Sequence, residues 1–378
     1  MMKQTTKSII PEDWQQKSFS ECVEKTSIPR QIKIPQGQYQ KAGEYPIVDQ
    51  GADFIAGYTN DKSKLYSGRL PVIVFGDHTR IFKYVDFAFS LGADGTKLLC
   101  PKEFLNPQYF YYYLCGLALE SKGYNRHYKY LKEKVISFPE IVEQRRIAHI
   151  LLSIKNATNQ QEKTIAKTKE LKRSLMHRLF TYGLRGEELK ETEIGNIPKS
   201  WGIKRINEFA KVKYGKQKPK AIGSIPVIGS SGIYARCKSS LISFPTLVVG
   251  RKGTAGAVHL FVEPCWPSDT TFYLEWISNK LNINFLYYYM STNLLSGEHA
   301  KTTLPSIQRQ DLERYTFPYP SRDEQIEIVN IIDEVNEKLS NSESQKQVTQ
   351  SLFRAMLNNL MTGQVRVKDI DFEGVARE

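Results

Sequence analysis

The sequence has little of what marks the common catalytic, secreted or membrane classes. Among 378 residues there are five cysteines, Cys22, Cys100, Cys115, Cys237 and Cys265, which are scattered and never spaced Cys-x-x-Cys. That argues against a disulfide framework and against structural zinc. The six histidines are equally dispersed, with no His-Glu-x-x-His pattern, so no metal site is expected. There is neither a Gly-x-x-x-x-Gly-Lys-Ser/Thr loop nor a Gly-x-Gly-x-x-Gly turn, which leaves no cofactor-binding motif in the chain. No apolar run approaches the ~18 residues of a membrane span. The start, Met-Met-Lys-Gln-Thr-Thr-Lys, lacks the apolar core of a signal peptide, so a cytoplasmic protein without catalytic residues is the expectation.

What is present is positive charge and a written-out duplication. Lys and Arg number 53 against 40 Asp and Glu, a formal charge of +13. This favours a polyanionic partner, nucleic acid first. With 40% apolar and 25% charged residues the chain reads as globular, and its length suits two or three domains. Phe138-Pro139, Glu143-Gln144 and the triplet Leu179-Phe180-Thr181 recur as Phe317-Pro318, Glu324-Gln325 and Leu360-Met361-Thr362. The Glu-Gln pairs and the triplets share one offset of 181 positions. Upstream, Ile10-Pro11-x-x-Trp14 recurs as Ile197-Pro198-x-x-Trp201, Tyr45-Pro46-Ile47-Val48 as Ile225-Pro226-Val227-Ile228, and Leu70-Pro71 with Gly76 as Phe244-Pro245 with Gly250. The run Tyr111-Tyr112-Tyr113 recurs as Tyr287-Tyr288-Tyr289. Landmarks kept in order across drifting offsets mean a half-chain duplication with insertions between them.

Each half reads as a mixed α/β domain followed by one long helix. Runs such as 70–75 and 246–249, bounded by Gly, Pro and Asp, have the composition of strands. Segments 106–114 and 284–290 read as short aromatic helices under a sheet. Their tyrosine triplets are read as core, because consecutive residues cannot all face one ligand; base stacking is the alternative. From 143 to 181 and from 324 to 362 there is neither Gly nor Pro, and Gly183 and Gly363 follow as stop signals. Each helix would run roughly 58 Å at ~1.5 Å per residue. Ile147, Leu151, Ile154, Ile165, Leu175 and Leu179 form a stripe at spacings of three and four, as do Ile328, Ile332, Val335, Leu339, Met356 and Leu360. Both stripes turn polar midway, at Thr158 and Gln161 and at Ser342 and Lys346. The first helix carries nine Lys/Arg and three Glu, the second three Lys/Arg and six Asp/Glu. Opposite charge and equal length suggest that the two helices pair, antiparallel, with the domains related by a pseudo-twofold axis.

The expected fold is therefore α+β: two similar α/β domains separated by an antiparallel coiled coil of two long helices. The expected boundaries are 1–142, helix 143–184, 185–323, helix 324–363, and a tail 364–378 packing near the first domain. Two similar but unequal basic domains at fixed spacing fit two unequal half-sites on one duplex, with an unread spacer between them.

Taken together and in order, these motifs resemble the specificity subunit of type I restriction-modification enzymes. The resemblance rests on Ile197-Pro198-x-x-Trp201, on the run Ile225-Pro226-Val227-Ile228-Gly229-Ser230-Ser231-Gly232, and on Gly250-Arg251-Lys252-Gly253-Thr254-Ala255-Gly256. It rests also on Phe-Pro before each Glu-Gln helix and on the ending Leu171-Lys172-Arg173-Ser174-Leu175-Met176. It implies a non-catalytic DNA reader whose two target recognition domains each read one half-site. Its helices would set the spacing and dock two modification (methyltransferase) subunits. S-adenosylmethionine and ATP would then be bound by the modification and restriction subunits, and no cofactor by this chain.

The candidate DNA contacts in the second domain are Arg251, Lys252 and Thr254, in a Gly-rich loop after an apolar strand, and Lys213, Lys216 and Lys218 in the densest basic run. In the first domain they are His78, Thr79 and Arg80, and Asn125, Arg126 and Lys129, with Asn and Arg suited to adenine and guanine edges. Asp77 departs from the second domain's pattern. It would repel phosphate unless it accepts a hydrogen bond from a cytosine amino group or organises the loop. Asp94-Gly95-Thr96 and Asp269-Thr270-Thr271 read as a shared structural turn. Asn106-Pro107-Gln108-Tyr109 resembles the loop with which amino-methyltransferases hold adenine, but a proline in the first helical turn accounts for it. Two other classes stay open: a coiled-coil scaffold, and a stand-alone adenine methyltransferase.

Overall fold

The apolar runs bounded by Gly and Pro become the central strands of each half. The computed structural model describes residues 10–25, 32–92, 95–117, 119–120, 123, 125–293 and 306–370. The chain forms two compact units, Met1–Gln161 with Gln345–Glu378 (unit 1), and Glu162–Ser344 (unit 2). The two long helices, Ile141–Tyr182 and Arg322–Met361, each contribute to both units.

In unit 1 the fully buried strand Val72–Gly76 lies antiparallel between Phe82–Val85 and Thr96–Leu99. A second sheet runs Lys33–Ile34, Ser90–Gly92, Tyr45–Val48, Gly57–Thr59 in that order. Unit 2 repeats the plan. Thr246–Gly250, also fully buried, lies between Val258–Phe261 and Thr271–Trp276, with Ala210–Tyr214 beyond. Ile225–Gly229 lies between Gly232–Cys237 and Trp266–Pro267. The strand pairs Gln15–Ser18 with Val135–Phe138, and Gly202–Arg205 with Thr316–Tyr319, also correspond.

The aromatic helices are Pro107–Gly116 and Ile283–Thr292, each packed on the central strand and its neighbour. Asn106 and Asn282 cap them through their side-chain oxygens, Asn106 accepting from the backbone N–H of Gln108 (3.1 Å) and Tyr109 (3.0 Å). The Asn106 oxygen is thus committed to the backbone of its own helix. The tyrosine triplets are core. Successive residues point to different neighbours: Tyr111 to Tyr84, Tyr112 to Phe353, and Tyr113 to Ser137, whose N–H it accepts at 3.1 Å. In unit 2, Tyr288 donates to Asp333, and Tyr289 packs edge-on to Phe180.

The Glu-Gln pairs fasten each long helix to its domain. Gln144 Oε1 accepts from Asn106 N (2.8 Å), and its amide donates to the Pro139 carbonyl (2.9 Å). Gln325 does the same with Asn282 N (2.8 Å) and Pro320 (3.1 Å). Buried Glu324 accepts from Leu184 N (2.9 Å) and from the Trp201 indole (3.0 Å). Buried Glu143 accepts from Val367 N (3.1 Å) and from Nε and Nη2 of the Arg366 guanidinium, whose Nη1 and Nη2 also hold Asp13.

These joints are counterparts. In both, an Ile-Pro-x-x-Trp turn closed by a Trp N–H to Pro carbonyl bond of 3.0 Å sets an indole beneath the glycine ending the long helix. Gly183 and Gly363 have φ of +63° and +71°, and a Cβ on either would strike the proline and tryptophan below. In unit 2 the joint is continuous chain; in unit 1 residues 363–367 meet residues 11–14.

The helix seams follow from the apolar stripes. In unit 1, Ile147 and Leu151 share a core with Met356, Leu360 and Met361. In unit 2, Leu175, Met176, Leu179 and Phe180 share one with Ile328, Val329 and Ile332. Burying each such side chain contributes about 1.5–3 kcal/mol. Lys169 pairs with Glu343 at 2.8 Å and Arg185 with Glu327 at 2.6 Å, so the partner number falls as the first rises and the segments run antiparallel. Ile154, Val335 and Leu339 are only half-buried, because the stripes turn polar nearby. There Thr158 is buried and donates to the Ile154 carbonyl. The α+β class with two long helices is as the sequence predicts.

Candidate nucleic-acid interface

In unit 2 the loop that follows the central strand is built on glycine. A Cβ at Gly250 would lie 2.3 Å from the Thr254 carbonyl, and Gly253 has φ +78°, so only glycine allows so tight a return. The loop is pinned from below: Arg251 N donates to Thr270 O (2.8 Å), Ser230 Oγ to Thr270 O (2.8 Å), and Ile307 N to Arg251 O (3.0 Å). Lys252 and Thr254 remain exposed, with Thr254 hydrogen-bonded to Ser231 at 2.8 Å. The Arg251 guanidinium lies over the rings of Tyr214 (5.3 Å) and Phe272 (6.0 Å). Tyr214 ends the strand carrying Lys213, so the two basic clusters of the second domain, far apart in sequence, are neighbours. Lys216 and Lys218 are exposed on the following segment. Lys213 is drawn off by Glu275 at 3.4 Å, a cross-strand neighbour that offsets its charge.

In unit 1 the corresponding loop starts at Asp77, which is buried at 3% exposure. Its carboxylate accepts from Tyr128 N at 2.7 Å, and its carbonyl accepts from His127 N (2.8 Å) and lies 3.0 Å from His127 Nδ1. Of the roles open to Asp77, organising the loop is the one its contacts describe. These bonds bring 78–80 and 125–129 together. Arg80, at φ +65°, donates to the Leu119 carbonyl (2.7 Å), and Thr79 to the Gln50 carbonyl (2.6 Å). The His78 backbone donates to Gln50 Oε1 (3.3 Å). Asn125, Arg126 and Lys129 are exposed.

Two residues absent from the sequence reading, Lys97 and Lys132, join this surface beside Lys129. Lys97 and Lys132 flank the Tyr128 ring at 5.7 and 5.1 Å, and Lys129 lies 4.8 Å from the Tyr130 ring. Burial, with the Asp77 charge beside it, pushes the Tyr128 phenol up. Lys83 is buried instead, its ammonium lowered by desolvation against the pull of Asp49 at 3.6 Å. Alternation along its strand was the available signal for Lys97; nothing local marks Lys132.

Asp94 lies outside the described residues, whereas Thr271 Oγ1 donates to Ser268 O (2.8 Å) within an ordinary turn. Among the described residues no group of His, Cys, Asp and Glu could hold a metal ion, and no helix is long and apolar enough to cross a membrane.

Two domains of one plan each gather cations on the loops beyond a buried central strand, and each is fastened to a long helix, an arrangement suited to a polyanionic partner. Residues 198–350 match the family model described as "Type I restriction modification DNA specificity domain". The type I restriction enzyme MjaVIII specificity subunit of Methanocaldococcus jannaschii is 24% identical over 63% of each chain, so the match spans under two thirds of that subunit. The putative MjaX specificity subunit of the same organism is 22% identical over 97% of each. The crystal structure of a type I restriction-modification S subunit from M. genitalium has the same fold, with a TM-score of 0.66, 16% identity, and coverage of 95% of this chain and 98% of that one. The resemblance read from the sequence is borne out: the chain is similar to type I restriction-modification specificity subunits, along nearly its whole length in one of them.

Proposed function

We propose that this chain is the non-catalytic DNA reader of a type I restriction-modification enzyme, each unit binding one half of a bipartite, asymmetric site in double-stranded DNA. One observation carries the reading. The two units share a plan, yet corresponding loops present different side chains, Arg251, Lys252 and Thr254 in one and His78, Thr79 and Arg80 in the other. Equal scaffolds with unequal contact residues suit two unequal half-sites. The long helices set the distance between the half-sites and dock two modification subunits, which bind S-adenosylmethionine and methylate adenine. ATP-dependent restriction subunits then join. The chain itself holds no cofactor, and the capping role of Asn106 speaks against a methyltransferase pocket there.

The test is co-expression with a modification subunit of a type I restriction-modification system, followed by genome-wide mapping of methylated adenines. The expected outcome is a split motif with one methylated adenine in each half, absent when this chain is omitted. Methylation without the chain, or a single continuous motif, would overturn the two-domain reading. Titration of the isolated chain with S-adenosylmethionine should show no binding.

A further inference from the structure

Asp77 sits where a charge of the opposite sign is expected. It follows the glycine that ends the central strand, as Arg251 does in unit 2, and His78 and Arg80 follow it in the same loop. Yet it is turned inward. One residue makes hydrogen bonds in three directions: its N–H to the Gly95 carbonyl (2.7 Å), its carbonyl to His127, and its carboxylate to Tyr128 N. Tyr128 is the first residue of the five-residue helix Tyr128–Lys132, whose own preceding residue, His127, supplies no side-chain cap. The counterpart helix Arg309–Glu313 caps itself, with Asp311 accepting from Gln308 N at 2.9 Å. Among the described residues, it meets its loop through backbone, by Ile307 N to Arg251 O. Asp77 therefore provides, from 51 positions away, the acceptor that a helix start needs, with its negative charge at the positive end of the peptide dipoles.

We propose that Asp77 is the positioning residue of the first domain's reading surface, its carboxylate setting where Asn125, Arg126 and Lys129 stand relative to Arg80 without itself touching DNA. This rests on the DNA-reader proposal. It assigns one position opposite tasks in the two units: a cation laid over the rings of Tyr214 and Phe272 at 251 and an internal cap at 77.

The experiment uses the chain assembled with its modification subunits and a randomised duplex DNA library as probe, with adenine methylation mapped in parallel. Asp77→Ala should flatten base preference in one half of the site by about tenfold, the weight of one displaced base contact, and leave the other half unchanged. Amide exchange of residues 126–132 should rise in the same variant. Asp77→Asn keeps the accepting oxygen and should restore both. Should Asp77→Ala fail to assemble, Asp77→Ser, with a shorter acceptor, should give an intermediate loss confined to one half. Unchanged preference in Asp77→Ala would overturn the proposal. So would equal loss in Asp77→Asn, which would make the charge itself a DNA contact, or flattening of both halves together, which would make the role one of general stability. If the wild-type complex selects no split site, the reader proposal fails and the positioning role falls with it.

Discussion

Trp14 and Trp201 occupy the same place in the two joints, and the structure makes them chemically unequal. Both indoles are buried beneath a helix-ending glycine, but only Trp201 has a partner for its N–H, the Glu324 carboxylate at 3.0 Å. Trp14 Nε1 is buried with no hydrogen-bond partner among the described residues. Replacing each tryptophan with phenylalanine removes similar ring area, so the packing loss is shared and the difference isolates one bond. A hydrogen bond to a charged acceptor contributes about 1.5–3 kcal/mol. Trp201→Phe should therefore cost about that much more than Trp14→Phe. At roughly 2–4 °C per kcal/mol for a domain of 150–250 residues, the gap in Tm is about 3–12 °C, read by differential scanning calorimetry. Trp14→Phe also removes an unpaired buried donor, which widens the gap. Equal losses, or a larger one at Trp14, would refute the assignment of the Glu324 carboxylate as the anchor of unit 2's joint.

Arg366→Ala should cost about 3–5 kcal/mol in thermal or urea unfolding, because it strands the buried Glu143 carboxylate; a loss under about 1 kcal/mol would contradict the clamp. Hydrogen bonds from Arg366 hold the Asp13 carboxyl below its ordinary 3.8. A depressed pKa gives stability present above the unfolded value and lost as pH falls through the folded one, so that contact's share should disappear only at pH below 3.8; a loss beginning near neutrality would be the wrong sign. Arg251→Ala with Lys252→Ala should lower the salt slope of DNA binding by about 2, near 0.9 per lost phosphate contact, in a filter-binding titration. Lys213→Ala, whose charge Glu275 already offsets, should change it far less, and an equal change would put Lys213 in the interface. Ile332→Asp, at 1% exposure in the helix seam, should destabilise by more than about 4 kcal/mol; a native melting curve would rule out the seam.

Much of this architecture could be read along the chain because helix periodicity and repetition are local signals. The unbroken stretches gave both long helices to within two residues at the start, and the Ile-Pro-x-x-Trp turns and Glu-Gln pairs marked the joints before their bonds were visible. Their chemistry was hidden, because each partner lies far away: Gln144 meets Asn106 38 positions off, and Arg366 meets Glu143 223 positions off. The same distance concealed the inward turn of Asp77, whose partner is Tyr128. Lys213 looked like a free cation because Glu275, which the register sets opposite Lys211 and so diagonal to Lys213, lies on a strand far along the chain. Ile154, Val335 and Leu339 fitted the stripe by spacing, but spacing does not report that a seam loosens where polar residues enter it.

The two joints also differ in chain entropy. In unit 2 the glycine and tryptophan that meet, Gly183 and Trp201, are 18 positions apart on continuous chain. In unit 1, Asp13 and Arg366 are 353 positions apart. Closing a loop roughly twenty times longer spans more than four doublings, each costing about 0.6 kcal/mol, or some 2.5 kcal/mol in all. Where unit 2 has the indole bond to buried Glu324 and an exposed Arg185–Glu327 pair, unit 1 has an arginine shared between two carboxylates, one of them buried. That ion pair network is of the size needed to offset the longer closure. The same mechanical joint is thus held by connectivity in one half and by charge in the other.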